Sequence, residues 1–80
     1  MNITINMYAG LKDIFGSQVV MQLPANSKVS DILNKLLDEE PAASEILNYC
    51  RFALNDEFVE STQPVAENSV VDIMPPFSGG

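Results

Sequence analysis

The sequence predicts one α+β domain, in which a single main helix covers one face of a sheet. Three observations carry this prediction. The 80 residues leave room for only one domain, at roughly 100–200 residues each. Short segments with strand-like patterns outnumber the single long helical pattern. Apolar residues make up 46% of the chain and charged residues 19%, a balance typical of a folded domain rather than a disordered segment.

Two alternating segments open the chain, at residues 3–8 and 17–23. Apolar residues at every second position are the pattern of a half-buried strand. The link at residues 9–16 has apolar residues at helical spacing between two glycines, which indicates one helical turn. So short a link predicts that the two strands pair antiparallel. Their inward positions are Ile3, Ile5, Met7, Val19, Met21 and Leu23.

The main helix is predicted at residues 29–37, where apolar residues recur at helical spacing. Ser27 or Ser30 could cap its start, and Asp31 suits the positive end of the helix dipole. Pro41 disfavours helical geometry at the preceding residue and should end the helix. The residues on its apolar face are Val29, Ile32, Leu33, Leu36 and Leu37.

The C-terminal half predicts a short helix, a hairpin and a last strand. The short helix lies within residues 42–49, with Ile46 and Leu47 inward. Apolar residues 52–54 and 58–59 flank the turn Asn55-Asp56-Glu57, where Asn and Asp tolerate left-handed geometry. Residues 62–68 are a polar loop. Residues 70–74 form the last strand, so the domain spans residues 1–74 and is followed by a tail at residues 75–80.

Composition excludes several classes of function. A net charge of −7 repels phosphate backbones and disfavours nucleic-acid binding. With no His and one Cys, the chain offers no structural zinc site, no disulfide framework and no histidine-based triad. No apolar run approaches the ~20 residues of a membrane helix, and the first residues do not resemble a secretory signal. We therefore expect a cytoplasmic protein without a bound metal.

Few internal side chains are candidates for chemistry. Cys50 is either a half-buried structural residue or a redox thiol, and its apolar neighbours favour the structural interpretation. Asp72 interrupts the apolar last strand, so it either lies on an exposed strand face or meets a basic residue of a partner. The acidic cluster at residues 38–40 is either a solvated helix end or a partner contact.

The chain's most unusual segment is its end, Pro75-Pro76-Phe77-Ser78-Gly79-Gly80. Two prolines end the strand and stiffen the exit into extended geometry. Phe77 is a large apolar group on a segment that cannot easily fold back, which suits an anchor for docking. The two glycines put minimal bulk beside a carboxylate, so this end could thread a narrow channel in another protein.

These features resemble the family of small, sulfur-carrying subunits of molybdopterin synthase (the MoaD family), whose fold is the ubiquitin-like β-grasp. The resemblance rests on the order of elements, the helix at residues 29–37 and the Pro-Pro-apolar-Ser-Gly-Gly end. It is supported by the Leu-x-x-Ile-Phe-Gly stretch at residues 11–16 and by residues 53–59. The family often has Gly where Asp56 stands. The resemblance spans nearly the whole chain.

The resemblance implies a function for the tail rather than a catalytic side chain. In that family a ubiquitin-activating-like enzyme uses ATP to adenylate the terminal glycine, here Gly80, which then becomes a thiocarboxylate. The tail enters the large synthase subunit, in an assembly expected to be a heterotetramer. It gives sulfur to cyclic pyranopterin monophosphate, forming molybdopterin. Carried over to this chain, Gly79 allows passage through the channel. The residues that would dock in the partner are Pro75, Pro76, Phe77 and Ser78.

Two other functions stay open. One is a related carrier that supplies sulfur for thiamine or another thiolated product, since such carriers share the Gly-Gly chemistry. The other is a non-catalytic β-grasp binding module with an inert tail. In the favoured case the chain binds no cofactor itself. It serves as the sulfur-donating subunit of a heteromeric sulfurtransferase, and ATP is consumed by the activating enzyme.

Overall fold

The computed structural model describes residues 1–76, so Phe77, Ser78, Gly79 and Gly80 lie outside the described residues. Within residues 1–76 no helix is long and apolar enough to cross a bilayer. The elements in chain order are β1 (Asn2–Met7), α1 (Gly10–Phe15), β2 (Gln18–Gln22), α2 (Val29–Glu39), a 3₁₀ turn (Pro41–Ala43), α3 (Ser44–Leu47), β3 (Arg51–Leu54), β4 (Glu57–Val59) and β5 (Val70–Met74). This order agrees with the α+β prediction.

The strands form one mixed sheet in the order β2-β1-β5-β3-β4. β1 pairs antiparallel with β2, as the short link between them predicts. β5 lies between the two hairpins, parallel to β1 and antiparallel to β3. The last strand is therefore at the centre of the sheet, with neighbours on both sides, and the tail starts from this central strand.

The core lies between α2 and one face of the sheet. The strand positions predicted to point inward are buried, except for Val19, which is half-buried against the core. On α2, Leu33 and Leu37 are half-buried at the margin of the core. The fully buried members of the helix are Val29, Ile32 and Leu36, and those of the strands are Ile3, Ile5, Val71 and Ile73.

The start of α2 differs from the prediction of a serine cap. The N-cap is Lys28, and its backbone N–H donates to Asp31 Oδ2 at 2.7 Å. Ser27 lies before the cap and its hydroxyl donates to the Pro24 carbonyl at 2.8 Å, whereas Ser30 is already inside the helix. The first N–H groups of the helix, those of Val29 and Ser30, donate to the backbone carbonyls of Gln63 and Ser61, and the Asp31 side chain fixes the N-cap backbone. It also suits the helix dipole, as predicted.

The predicted end of α2 and the predicted β3–β4 turn are both confirmed. Glu40 leaves helical geometry, with φ −142° and ψ 83°, directly before Pro41. In the turn, Asn55 and Asp56 have φ values of 48° and 73°. Asp is among the residues that tolerate this left-handed geometry, so Asp56 fits a position where the resemblance leads us to expect Gly. Asn55 also fastens the turn to the central strand, because its side-chain oxygen accepts the Val70 N–H at 3.0 Å.

Candidate functional site

The candidate site is the point at which the chain leaves the sheet. β5 ends at Met74, and Pro75 is half-buried while Pro76 is exposed. The predicted role of the prolines in ending the strand is thus confirmed. The register places Met74 opposite Arg51 of β3, and it places Ile73 beside Met7 of β1. We call Met74, Pro75 and the residues beside them, Tyr8 and Arg51, the tail root.

The sheet face opposite α2 borders the tail root, and no helix of residues 1–76 lies over it. We call this surface the open face. Its side chains alternate with the buried ones along each strand. Val20 and Phe58, near its two edges, are 67% and 62% exposed. The strand registers also place on the open face Thr4, Asn6, Gln18, Gln22, Val70, Asp72, Met74, Arg51 and Ala53, of which Ala53 is only 6% exposed.

A chain of side-chain hydrogen bonds crosses the open face beside the tail root. Gln18 Nε2 donates to Asn6 Oδ1 at 2.9 Å, and Asn6 Nδ2 donates to Asp72 Oδ1 at 2.9 Å. The Tyr8 hydroxyl donates to the same Asp72 oxygen at 3.1 Å. Desolvation, followed by the hydrogen bond to Asp72 and its charge, raises the pKa of Tyr8, so the phenol stays a donor. The network links β2, β1 and β5 and fixes the Asp72 carboxylate.

Asp72 therefore lies on the outer strand face, as one of its two interpretations predicts. The side chain is half-buried, not fully solvated. Contact with a basic residue of a partner stays a prediction. The residues that hold Asp72 were not identified from the sequence. Asn6 and Gln18 are polar at outward positions, but only the parallel pairing of β1 with β5 brings Asn6 beside Asp72.

Cys50 directly precedes Arg51, the tail-root residue at the start of β3, and lines a cavity of about 290 Å³. Its thiol donates to the Ile46 carbonyl at 3.2 Å, and burial raises the pKa of Cys50 to about 11. The Arg51 guanidinium does not offset this rise in the pKa of Cys50, because it stacks 4.1 Å from the centre of the Phe58 ring. A protonated, half-buried thiol fits the structural interpretation. The cavity is lined by Cys50, Arg51, Phe52, Phe58, Val59 and Glu60.

The raised pKa predicts slow alkylation of Cys50 by iodoacetamide in the native protein at pH 8. Only the thiolate reacts, and the rate should climb until the pH approaches 11. The chain unfolded in urea, in which the thiol regains its ordinary value of 9.0, is the control and should react much faster. Equal native and unfolded rates at pH 8 would contradict the shift.

The same shift gives a pH dependence of stability. Between the unfolded and folded pKa values of Cys50, the native state binds the proton that the unfolded state has lost. Stability therefore falls as the pH rises from about 9 towards 11. Cys50→Ala removes this group, and its urea midpoint should fall less over that pH range than the parent's.

The remaining predicted candidates are not gathered at this site. Asp38, Glu39 and Glu40 are exposed at the end of α2, which packs on the other face of the sheet. In the part of the chain that the structure describes, no group of three His, Cys, Asp or Glu side chains could hold a metal ion. Gly80, Gly79, Ser78 and Phe77 lie outside the described residues, so their predicted roles stay predictions.

Comparison with known proteins identifies the family. The family model described as the ThiS family matches residues 5–80. The chain belongs to the ThiS family. It is 28% identical over 83 residues to a molybdopterin synthase sulfur carrier subunit from Chlamydomonas reinhardtii, with 100% of both chains covered. It is 25% identical over 79 residues to the protein of the same name from Arabidopsis thaliana, covering 98% of this chain and 82% of the other.

Solved structures confirm the fold predicted from the resemblance. SAMP1 from Haloferax volcanii superposes with a TM-score of 0.83 at 22% identity, with 100% of both chains covered. A second match, at a TM-score of 0.69, 22% identity and 100% coverage of both chains, is a complex of subunits 1 and 2 of molybdopterin-converting factor from Helicobacter pylori. At these identities the likeness establishes the architecture, a ubiquitin-like β-grasp domain. The resemblance to the small sulfur carriers is likewise confirmed.

Proposed function

We propose that this protein is the sulfur-carrier subunit of a molybdopterin synthase. The observation that carries the proposal is the match to the Chlamydomonas reinhardtii sulfur carrier subunit, which extends over the whole of both chains. The family match also reaches residue 80, so it includes the Gly-Gly segment on which sulfur-carrier chemistry depends.

The proposed reaction takes place on the carboxylate of Gly80. A separate activating enzyme uses ATP, and the carboxylate oxygen attacks the α-phosphorus to form an acyl adenylate and release pyrophosphate. Hydrosulfide, or a donor that delivers sulfur at the same oxidation level, then attacks the acyl carbon and displaces AMP, which leaves a thiocarboxylate. The chain contains no His, and the thiol of Cys50 is held protonated by its raised pKa. These facts support a reaction in which the activating enzyme, and not this chain, supplies the catalytic groups.

The geometry of the tail root supports the proposal that the tail extends from the domain towards a partner. The central strand fixes Met74, and two prolines follow directly. Residues 75–80 reach at most about 20 Å when fully extended. A partner that receives Gly80 must therefore bind close to Met74. In this proposal Phe77 and Ser78 dock in the partner's groove, and Gly79 allows the chain to pass through a narrow channel.

The proposed partner at the final step is the large subunit of the synthase, in a heterotetramer. The Helicobacter pylori structure pairs subunits 1 and 2 of a molybdopterin-converting factor, which supports this choice. The net charge of −7 suits basic surfaces on such a partner. Inside the large subunit the thiocarboxylate would give its sulfur to cyclic pyranopterin monophosphate, in the cytoplasm.

A carrier for thiamine or another thiolated product would use the same thiocarboxylate. Both relatives named above are molybdopterin synthase subunits, and this chain has the Pro75-Pro76 pair before its Gly-Gly end. These observations favour the molybdopterin function over the alternative.

The proposal is tested by co-expressing the full chain with an activating enzyme of this family and the large synthase subunit. Intact-protein mass spectrometry should show a gain equal to the difference between one sulfur and one oxygen atom. The large subunit should co-purify, and adding cyclic pyranopterin monophosphate should reverse the mass gain while molybdopterin forms. A loaded chain that keeps its sulfur in the presence of this acceptor would favour another thiolated product. A chain that is never loaded would contradict the sulfur-carrier function itself.

A further inference from the structure

Asp72 places a negative charge at the centre of the open face. It lies on the central strand, beside Asn6 of β1 and opposite Ala53 of β3. These neighbours carry no charge, and the Tyr8 phenol on the same carboxylate oxygen is kept neutral by its raised pKa. The carboxylate is thus held in place by neutral groups alone in the contacts described above.

The hydrogen bonds that orient Asp72 come from uncharged donors, and the basic side chain beside this network is Lys12, which lines a cavity with Asn6 and Tyr8. Both donors, Asn6 Nδ2 and the Tyr8 hydroxyl, bind Oδ1. An ionised carboxylate has about four acceptor positions, so it retains capacity for a further donor. Two of the chain's four basic side chains are engaged elsewhere. Lys35 Nζ donates to the Gln22 carbonyl, and Arg51 stacks on Phe58.

The position of Asp72 brings it within reach of whatever binds the tail. It lies two positions before Met74, roughly 7 Å along the strand, and its side chain projects from the open face. A protein that encloses Pro75 and the following residues must lie against the tail root. Covering Asp72 removes its water, and burying an unpaired carboxylate is costly. Cover by a partner is therefore favourable if the partner supplies a donor to this carboxylate, and most favourable if that donor is positively charged.

We propose that Asp72 is the recognition point for a basic side chain, of the arginine class, on the protein that takes up the tail. This inference rests on the proposed function, because it requires a tail-binding partner. Arginine suits the site since a guanidinium carries several donors in a rigid fork, and the carboxylate is already oriented by its neighbours. The same charge disfavours any surface that would cover the open face with apolar or acidic groups. Asp72 is in this way a determinant of partner choice, separate from the chemistry at Gly80.

The experiment measures binding of the full-length chain to the large synthase subunit by calorimetry, at low and at high salt. Asp72→Asn keeps an oxygen for Asn6 and Tyr8 and removes only the charge. It should weaken binding about tenfold or more at low salt and reduce the salt dependence. Asp72→Glu, which keeps the charge, should recover most of the lost affinity. Glu45→Gln removes an exposed charge from α3, whose Leu47 packs into the core on the other face of the sheet, and should bind like the parent.

The outcomes separate this inference from the proposed function. If the parent binds and Asp72→Asn binds within about twofold of it, the charge is not recognised and the inference is wrong, while the function stands. A loss of affinity that is the same at low and high salt would also overturn it. If the parent itself does not bind the large subunit, the proposed function fails and this inference fails with it. Thermal melts of each variant exclude unfolding as the cause.

Discussion

Deleting Gly80 is expected to abolish sulfur loading and to leave the thermal unfolding of the domain unchanged. The deletion moves the terminal carboxyl back by about 3.3–3.6 Å, one residue of extended chain. A misplacement of only ~1 Å can cost about 100-fold in a positioned reaction, so adenylation should be lost. Intact mass after exposure to the activating enzyme and ATP measures the loading. Melting should not change, because Gly80 lies six residues beyond Met74, where the last strand ends.

Two further variants test whether loading depends on the terminal Gly-Gly residues or on the length of the tail. Adding one Ala after Gly80 puts a side chain and a new carboxyl at the end, and it should block loading as completely as the deletion. Inserting one Gly between Ser78 and Gly79 lengthens the tail but keeps Gly-Gly at its end. The activating enzyme should still load this variant if it recognises the terminal Gly-Gly residues rather than the length of the tail. Sulfur loading of the shortened chain at the parent's rate would mean that Gly80 is not the carrier group.

The elements predictable from the sequence are those set by local periodicity. The helix at residues 29–37 has apolar residues on one side only, and that pattern defines α2 to within two residues of its observed end at Glu39. The antiparallel β1–β2 pair follows from two alternating segments and a short link. The turn at Asn55 and Asp56 follows from residues that tolerate positive φ. In each case the paired or packed residues lie within 20 positions of one another along the chain.

Non-local pairing is what the sequence did not reveal. β1 and β5 are separated by most of the chain, and no local pattern shows that Asn6 lies beside Asp72. The network that holds Asp72 was therefore missed, although Asp72 itself stood out as a charge in an apolar strand. The cap of α2 was assigned wrongly for a different reason. Serine is a preferred cap, but here the first helix N–H groups donate to the Gln63 and Ser61 carbonyls of a distant loop, and Asp31 accepts the Lys28 N–H.

The reactive end was predicted from a motif, and the structure contributes the geometry at its base. The last described residues, Pro75 and Pro76, leave a strand that is paired on both sides. In the proposed function, a tail that is fixed at its base and bound by other proteins needs no catalytic side chains around it. The proposed role of Asp72 assigns partner recognition to the open face, where Asn6 holds this carboxylate in place.

Leu36→Ala is expected to lower the free energy of unfolding by about 2–5 kcal/mol, the usual cost of truncating a fully buried leucine. Leu36 is 0% exposed and belongs to the core between α2 and the sheet. A domain of this size has only about 5–15 kcal/mol of stability in total, so the loss is a large share of it. Each kcal/mol lowers the melting temperature by roughly 4–8 °C for a domain of 60–100 residues, so calorimetry should show a drop of about 10 °C or more.

Leu33→Ala and Asn34→Ala provide matched controls on the same helix. Leu33 is half-buried at the margin of the core, so its truncation should cost clearly less than that of Leu36. Asn34 is exposed, and alanine is the better helix former, so that change should leave stability the same or slightly higher. Urea denaturation of the three variants therefore ranks the positions by burial. A cost below about 1 kcal/mol for Leu36→Ala, or an equal cost for Leu33→Ala, would mean that α2 does not pack on the sheet through this face.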